Sequence, residues 1–399
     1  MGFWGIEGRS GRGSPSAAIC NFLRVPVPVT AFGALILSPV SCAPDDLSGA
    51  QRGPPPETAQ IVARIDSEPL LTIGNTPEDA LFRVIDVVLA GDALIVAEMS
   101  SNTLRHYDRA TGELLRTTGG EGEGPGEYQV LRSLQAVGNR LYTFDFMNRR
   151  LTVLDLAGVV ERTVTIQPWG GYPYPDVQGV FTDGSMLVAS SLQPPVGVEA
   201  ATVRRIPWIL ARYDSTGHFV DSLGHYLGGE GLVVPYGRGG AGTTRWPGPF
   251  RREVFSGVLG DEYYIRDNME FAIPVFDRAG ALVRELGSGA SPEPRAVTRK
   301  DRDLFRELDG VEDWERPESY PYHSAIREFN GLIWVQQYHY WGSPGERWTL
   351  YSKQGERVGE VASSENLWVV AADGDVVAIL RRNELDVETV ELRRLVGWR

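Results

Sequence analysis

The stretch Gly91-Asp92-Ala93-Leu94-Ile95-Val96-Ala97 determines the fold, because it joins a two-residue turn to a run of strand formers. Gly and Asp supply the positive φ that a two-residue hairpin turn requires. The arrangement occurs six times, and three of the five intervals between successive turns are 43 to 47 residues long. A four-stranded propeller blade has about that length, roughly 40–50 residues. The other five turns are Gly138-Asn139, Asp183-Gly184, Gly260-Asp261, Asn330-Gly331 and Asp373-Gly374.

A second pattern follows these hairpins in phase. A third strand ends in an aromatic or aliphatic residue, an acid and a turn glycine, and an outer strand of alternating polarity comes next. We therefore predict an all-β fold, a six-bladed β-propeller with four-stranded antiparallel blades. The clearest copies of the pattern are His106–Gly112, Val153–Gly158, Arg212–Gly217 and Val275–Gly280.

The last repeat has only three strands, near 367–371, 375–381 and 387–395. The stretch Pro69–Gly74 has the pattern of an outer strand and leads directly into the first blade. We expect it to pair with the strand near 387–395, so that an N-terminal strand completes the last blade and removes an open edge.

The N-terminal region, 1–43, has the features of an export signal. Three arginines precede an apolar stretch from Val25 to Val40, and small residues end it. Cys42 is a lipidation candidate of the bacterial lipoprotein type, and the alternative is ordinary cleavage after Ala43. We expect residues 44–60 to form a disordered tether and residues 61–399 to form the propeller. The protein would then be exported and lipid-anchored in the cell envelope, in the periplasm or at the cell surface.

Composition excludes several classes of function. The formal net charge of −13 and the lack of a basic run argue against a nucleic-acid surface. The two cysteines, Cys20 and Cys42, both lie in the leader, so the propeller segment offers no thiol for a disulfide, a metal site or catalysis. The sequence also contains no Gly-x-Ser-x-Gly, His-Glu-x-x-His or P-loop motif.

One repeat unit is clearest at Val96–Glu98, Asn102–Asp108 and Gly119–Tyr128, with a second copy at Phe144–Asp155 and a partial third at Ile265–Asp267. In these segments the chain resembles the NHL-type six-bladed propellers and related bacterial envelope propellers. The resemblance implies the fold and a binding platform, and it implies no single activity because such propellers include interaction modules and a few enzymes.

Acidic residues and histidines are the candidates for a metal-binding or catalytic role. Glu98, Asp145 and Asp267 recur at the end of the second strand, where we expect them to bond their own loops; the alternative is a shared cation site. His323 and His339 lie eight residues either side of Gly331 and should face each other. Two histidines lack the third protein ligand of a catalytic zinc, so we predict no cofactor and keep a divalent cation as the alternative.

Insertions near 190–206, 225–250 and 288–321 lengthen the repeat. The segment Thr298–Leu308 has a helical pattern that begins with a capping box of Thr298 and Asp301. Aromatic residues accumulate in the loops of this face, and they either pin the loops or form a recessed binding surface. The aromatic candidates are Trp169, Tyr172, Tyr174, Trp246, Trp314, Tyr320 and Tyr322.

The sequence therefore favours a non-catalytic binding propeller of the bacterial cell envelope, monomeric, whose ligand docks on the aromatic insertion face over the central channel. His323 and His339 would lie at the channel mouth. The expected partner is an envelope protein, a peptide or a carbohydrate, and the only membrane contact would be the lipid anchor. One alternative is a channel-site hydrolase or lyase with a divalent cation, and a second is a structural scaffold in an envelope assembly.

Overall fold

The computed structural model describes residues 60–170, 172, 174–191, 202–236, 242–246, 250–289, 291–303, 318–340, 343 and 345–398. Within 202–246, the side chains of residues 202, 232, 234–236 and 242–246 are not described. The predicted signal 1–43 with Cys42, nearly all of the tether 44–60, and Trp314 lie outside the described residues. Trp246 is described only through its backbone.

The fold is all-β, with antiparallel four-stranded sheets in a propeller arrangement. Strand β1 spans Ile61–Ile73 and belongs to the last sheet. The first blade contains β2 (Val84–Ala90), β3 (Ala93–Glu98), β4 (Thr103–Asp108) and β5 (Leu114–Gly119). The second contains β6 (Leu131–Val137), β7 (Arg140–Asp145), β8 (Arg150–Asp155) and β9 (Val160–Thr165).

The third blade has five strands: β10 (Pro175–Val180), β11 (Met186–Ser191), β12 (Thr202–Tyr213), β13 (Phe219–Tyr236) and β14 (Gly242–Trp246). The fourth contains β15 (Val254–Leu259), β16 (Glu262–Asp267), β17 (Ile273–Asp277) and β18 (Leu282–Leu286). An eight-stranded sheet follows, formed by β19 (His323–Phe329), β20 (Leu332–Gln337), β21 (Arg347–Tyr351), β22 (Arg357–Ala362), β23 (Trp368–Asp373), β24 (Val376–Arg382), β25 (Glu388–Val396) and β1.

The two-residue turns are present with two corrections. Gly91, Gly138, Gly260 and Gly374 take positive φ at the first central position of their turns, and Asn330-Gly331 has positive φ at both. The last turn is Gly374-Asp375, one residue later than predicted, because Asp373 pairs with Val376. In the third blade, Asp183-Gly184 belongs to a longer loop, since Val180 pairs with Met186.

The second insertion differs from the expected loop. Strand β13 continues past the predicted outer strand to Tyr236, and β14 pairs with it as a hairpin. Strand β12 is lengthened as well, and it pairs antiparallel with β13 from Thr202 to Tyr213. Continued backbone pairing satisfies the polar groups of this insertion, which a loop would have to satisfy through side chains or water. In the third insertion, residues 299–303 are helical, and the capping box is confirmed by Thr298 N–H to Asp301 Oδ2 at 2.8 Å.

Strand β1 closes the last sheet as the sequence predicts. Leu71 pairs with Leu392 and Ile73 with Val390, antiparallel along β25. The first half of β1, which the sequence analysis did not predict as a strand, pairs in parallel with β22, with Ala63 opposite Val361. One strand therefore joins two four-stranded runs into the eight-stranded sheet.

The hydrophobic core is divided among neighbouring sheets. One cluster packs Val87 and Leu94 of the first blade against Val370 and Leu392 of the eight-stranded sheet. Another packs Tyr264 of the fourth blade against Ile326 at the opposite end of that sheet. Further clusters join the first blade to the second, the second to the third and the third to the fourth, so the sheets form a closed ring in which each sheet buries both of its faces against neighbours.

Acids at the ends of second strands accept backbone hydrogen bonds, and Asp145 and Asp267 bond the backbone of their own loops, as expected. Asp145 accepts hydrogen bonds from the backbone N–H groups of Gln129, Val130, Met147 and Asn148. Asp267 accepts from Met269 N–H and contacts Arg252. Glu98 accepts from Phe82 N–H at 3.0 Å and pairs with Arg105. Among the residues that the structure describes, no group of three or more acids, histidines or cysteines could hold a metal ion.

Candidate functional site

The ring of sheets has two faces. The turn face carries the turns between first and second strands, such as Gly91-Asp92. The insertion face is the opposite one, where first strands begin, second strands end and the predicted insertions lie. Among the described candidates, Tyr174, Tyr322 and His323 lie at the starts of first strands and His339 lies just past the end of a second strand, all on the insertion face.

A cavity of about 760 Å³ opens among the strand ends of the insertion face. It lies between the fourth blade and the eight-stranded sheet, because its lining includes the starts of β15, β19 and β23. A second cavity of about 670 Å³ lies towards the turn face, and a third of about 370 Å³ lies beside the third blade. The first and third share Phe255 and Ser256, so together they extend across the insertion-face mouth of the channel.

Two exposed aromatic side chains line the first cavity, and neither was among the candidates predicted from the sequence. Phe255 is 49% exposed and Trp368 is 53% exposed, although both occupy the first strand of a four-stranded run. The guanidinium of Arg266 lies 4.8 Å from the centre of the Phe255 ring. An aromatic residue at the start of an otherwise apolar inner strand was the signal in the sequence that could have identified both.

Arg266 and His323 form a buried polar link at this mouth. Arg266 Nη1 donates to the carbonyl oxygen of His323 at 3.0 Å, and Arg266 Nη2 lies 3.7 Å from Glu253. His323 Nε2 donates to the carbonyl of Glu270 at 2.9 Å. Burial, together with the charge of Arg266, lowers the pKa of His323 to about 4. The ring is therefore a neutral structural donor at neutral pH.

His323 and His339 do not face each other. The hairpin pairs Phe329 with Leu332, a register that would place Tyr338 opposite His323, and a bulge between His323 and Ala325 shifts the partner of His323 to Gln337, two residues before His339. His339 Nδ1 instead lies 3.2 Å from Glu346 Oε1, and burial raises the pKa of the Glu346 carboxyl. Gln336 donates to the other Glu346 oxygen at 2.9 Å. The two histidines thus have separate partners, and the arrangement forms no shared metal site.

Trp169 and its aromatic neighbours form a packed stack. The Trp169 ring lies parallel to Phe219 at 4.1 Å and to Tyr172 at 6.1 Å. Tyr172 in turn contacts His225 at 6.1 Å. Tyr174 differs from these two, because it is 46% exposed and lines the third cavity. Of this group, Tyr174 is the residue that a ligand at the mouth could contact.

Tyr320 and Tyr322 are also held by packing. Tyr320 is buried against Phe250, with ring centres 4.5 Å apart, and belongs to a small core with Val297. Tyr322 is half-buried; its hydroxyl donates to the carbonyl of Pro292 at 3.0 Å, and its ring meets Phe271 edge-on at 5.4 Å. These contacts fit the interpretation in which insertion aromatics pin their loops.

Comparisons with known proteins give a likeness in structure only. No protein-family model matches the chain, and no curated protein matches it. Among solved structures, a DUF4221 family member from Bacteroides vulgatus ATCC 8482 is 10% identical, with 84% of this chain and 98% of that chain covered and a TM-score of 0.49. A protein of Bacteroides fragilis NCTC 9343, described as exported, is 11% identical, with 84% and 95% covered and a TM-score of 0.45.

A β-propeller domain is also among the similar structures. The Cps50 (Swd1) domain of Myceliophteria thermophila is 11% identical, with 79% of this chain and 98% of that domain covered and a TM-score of 0.34. In the part of the chain that the structure describes, no helix has the length and apolar character needed to cross a membrane.

Proposed function

We propose that this chain is a six-bladed β-propeller that acts as a non-catalytic binding module of the bacterial cell envelope. The count of six treats the eight-stranded sheet as two blades, β19–β22 and β23–β25 with β1. A hydrophobic cluster that includes Trp334, Trp348, Val369 and Ile379 packs between these two runs, as clusters do between the other blades. Such a cluster is what two separate, facing blades require.

The ligand site of the proposal is the insertion-face mouth, lined by Phe255 and Trp368. The observation that carries it is the exposure of these two large aromatic side chains on the rim of a 760 Å³ cavity. Sites for small ligands are commonly concave, with volumes of about 300–1,000 Å³, and aromatic walls supply much of their contact area. The expected ligand is a carbohydrate, a peptide or a segment of an envelope protein.

Localisation is part of the same proposal. Residues 1–43 would direct export, Cys42 would carry the lipid, and residues 44–60 would act as the tether of a monomeric protein. The support is the order of charge, apolar stretch, small residues and cysteine in the leader.

The test is binding of the purified protein to an array of bacterial envelope glycans and peptides, with aromatic variants. Phe255→Ala and Trp368→Ala should each weaken binding by about 2 kcal/mol, the usual size of a hot-spot effect. Phe82→Ala is the matched control, because Phe82 is a 40% exposed aromatic residue that does not line the cavity. All three variants should melt within a few degrees of the parent protein, since each truncates a side chain that is about half exposed to solvent.

Two results would reject the mouth as the binding site. One is full binding by both cavity variants. The other is a similar loss of binding in the Phe82 control, which would indicate a general effect on the protein.

A channel-site hydrolase or lyase is the second candidate, and one observation favours it. Asp86 lines the turn-face cavity, and Asp176 lines the third cavity. Burial raises the pKa of both carboxyls, although Arg327 and Arg132 respectively act to lower them. A carboxyl with a raised pKa can serve as a general acid. Turnover of a bound glycan that disappears in Asp86→Asn while binding persists would favour this enzyme over the binding module.

A further inference from the structure

The two larger cavities meet inside the ring. They share the lining residues Ser256, Tyr264, Ile326 and Arg327. Arg327 belongs to β19, where its backbone is paired opposite Trp334. Arg327 therefore lies at the junction between the insertion-face mouth and the turn-face cavity.

Arg327 differs from the other cationic residues that line these two cavities. Arg381 pairs with Glu365 at 2.8 Å, Arg382 with Glu388 at 2.5 Å and Lys353 with Glu328 at 2.9 Å. Arg266 has Glu253 and the carbonyl of His323 as partners. The Arg327 guanidinium, in contrast, has no hydrogen-bond or ion-pair partner among the residues that the structure describes. Its positive charge is left for solvent or a ligand.

The acid that acts on Arg327 electrostatically is Asp86, which does not form an ion pair with it. The Asp86 carboxylate accepts a hydrogen bond from Leu134 N–H at 3.2 Å. Arg327 is half-buried and lines both cavities, so its charge can be reached by an anionic ligand. A cationic side chain with no ion-pair partner in a cavity can supply a charge-assisted hydrogen bond to such a ligand.

Neutral groups that suit a sugar lie in the same cavity. Ser324 Oγ is buried without a hydrogen-bond partner in the described chain, although Ser324 lines the first cavity. Phe255 and Trp368 present exposed rings on its rim. Aromatic faces pack against the apolar faces of sugar rings, and guanidinium groups bind carboxylates through two parallel hydrogen bonds.

We propose that the channel mouth binds an acidic oligosaccharide, with the carboxylate of one sugar on Arg327 and the neighbouring rings against Phe255 and Trp368. This inference rests on the proposed function and names its ligand class. The −13 charge of the whole chain would repel such a ligand elsewhere, so that the unpaired Arg327 also provides specificity.

The experiment titrates the purified protein calorimetrically with trigalacturonic acid and with its carboxyl-reduced, neutral counterpart. The acidic probe should bind more tightly than the neutral one. Arg327→Gln should weaken binding of the acidic probe by about tenfold or more, as expected for a lost charge-assisted pair, and Arg327→Lys should lie in between. Arg381→Gln is the matched control, because Arg381 lines the same cavity but is paired with Glu365, and it should change affinity by less than about twofold.

Melting temperature supplies the second readout. A structural arginine stabilises the fold, so its loss should lower the Tm, whereas Arg327→Gln should leave the Tm unchanged or raise it. A lowered Tm with unchanged affinity would overturn the inference.

The remaining outcomes separate the inference from the proposed function. Equal binding of the neutral probe by the parent protein and Arg327→Gln would support the binding module and reject the carboxylate site. Failure of the acidic probe to bind would reject the ligand class and leave the module to be judged by the array. Binding of the tripeptide Gly-Gly-Phe that depends on Arg327, without binding of the acidic sugar, would replace the oligosaccharide by a peptide carboxylate.

Discussion

His323 shows how a residue that the sequence marks as chemical can be structural. Its Nε2–H bonds the carbonyl of Glu270, and burial with the charge of Arg266 lowers its pKa to about 4. Because the folded-state pKa lies below the unfolded value of about 6.5, the unfolded chain binds more protons between these two values. Stability is therefore complete above about pH 6.5 and is lost as the pH falls towards 4.

The first prediction follows from the lowered pKa of His323. Between pH 7 and pH 4.5, His323 should account for up to about 3 kcal/mol of lost stability, at about 1.4 kcal/mol per unit of pKa shift. His323→Gln should flatten that part of the pH profile, measured by urea unfolding. His218→Gln is the control, because the His218 side chain is 68% exposed. A profile for His323→Gln parallel to that of the parent protein would contradict the prediction.

Trp169 provides the second prediction at this scale. Its ring stacks on Phe219 at 4.1 Å and packs against the core between the second and third blades. Trp169→Ala should therefore reduce the free energy of unfolding by about 2 kcal/mol, less than the 3–5 kcal/mol of a fully buried ring. Tyr174→Ala, at an exposed position, should cost much less. Equal effects in denaturant unfolding would mean that the stack does not pin this loop.

At the scale of the element, the two-residue turns restrict which residues the chain can accept. Gly91 has φ +58°, and an added Cβ would meet nothing within 4 Å, so only the backbone conformation restricts the residue. Gly91→Asn should be nearly neutral because Asn tolerates positive φ, whereas Gly91→Val should cost about 1–2 kcal/mol. Thermal unfolding of the two variants checks this, and a Val variant as stable as the Asn variant would contradict it.

Strand β1 carries the fourth prediction. A chain that starts at residue 66 loses the parallel pairing with β22 and the buried Ala63 and Ile65. A chain that starts at residue 80 also loses the pairing of Leu71 and Ile73 with β25. Melting temperatures should fall in that order, because each step exposes a further edge and part of a core. Equal melting temperatures of the full-length chain and the two shortened chains would reject closure through β1.

The strands were predictable from the sequence because turn chemistry and alternation are local signals. The outer strand at Val160 and the second strands after Gly91, Gly138 and Gly260 begin where the pattern indicates. The first half of β1 was not predicted, since Asp66-Ser67-Glu68-Pro69 interrupts the alternation and its partner, β22, is about 300 residues away. Likewise, the extension of β13 depends on pairing with β12, which local propensity does not reveal.

The site was harder to predict than the fold. Loop aromatics such as Tyr320 were natural candidates, but whether a ring packs or faces a cavity depends on neighbours distant in sequence. Phe255 and Trp368 looked like ordinary strand residues, and their exposure arises from the ring of blades around the channel. Arg327 was missed for the same reason, because the absence of a partner is a property of the folded molecule.

At the scale of the whole molecule, the last prediction concerns attachment of the protein to the membrane through Cys42. If Cys42 carries a lipid, Cys42→Ser should move the protein from the membrane fraction to the soluble fraction or leave it unprocessed. Fractionation of cells followed by detection of the propeller measures this. Equal membrane association of both forms would reject the lipid anchor.

The direction of β1 has a consequence for orientation. Arg64 pairs with Val396, at the turn-face end of β25, while Ile73 pairs with Val390 nearer the insertion face. The chain therefore enters the ring from the turn face, and the cavity with Phe255, Trp368 and Arg327 opens on the opposite side. A large polymer bound at the cavity would therefore leave β1, and the turn-face edge where β1 begins, uncovered.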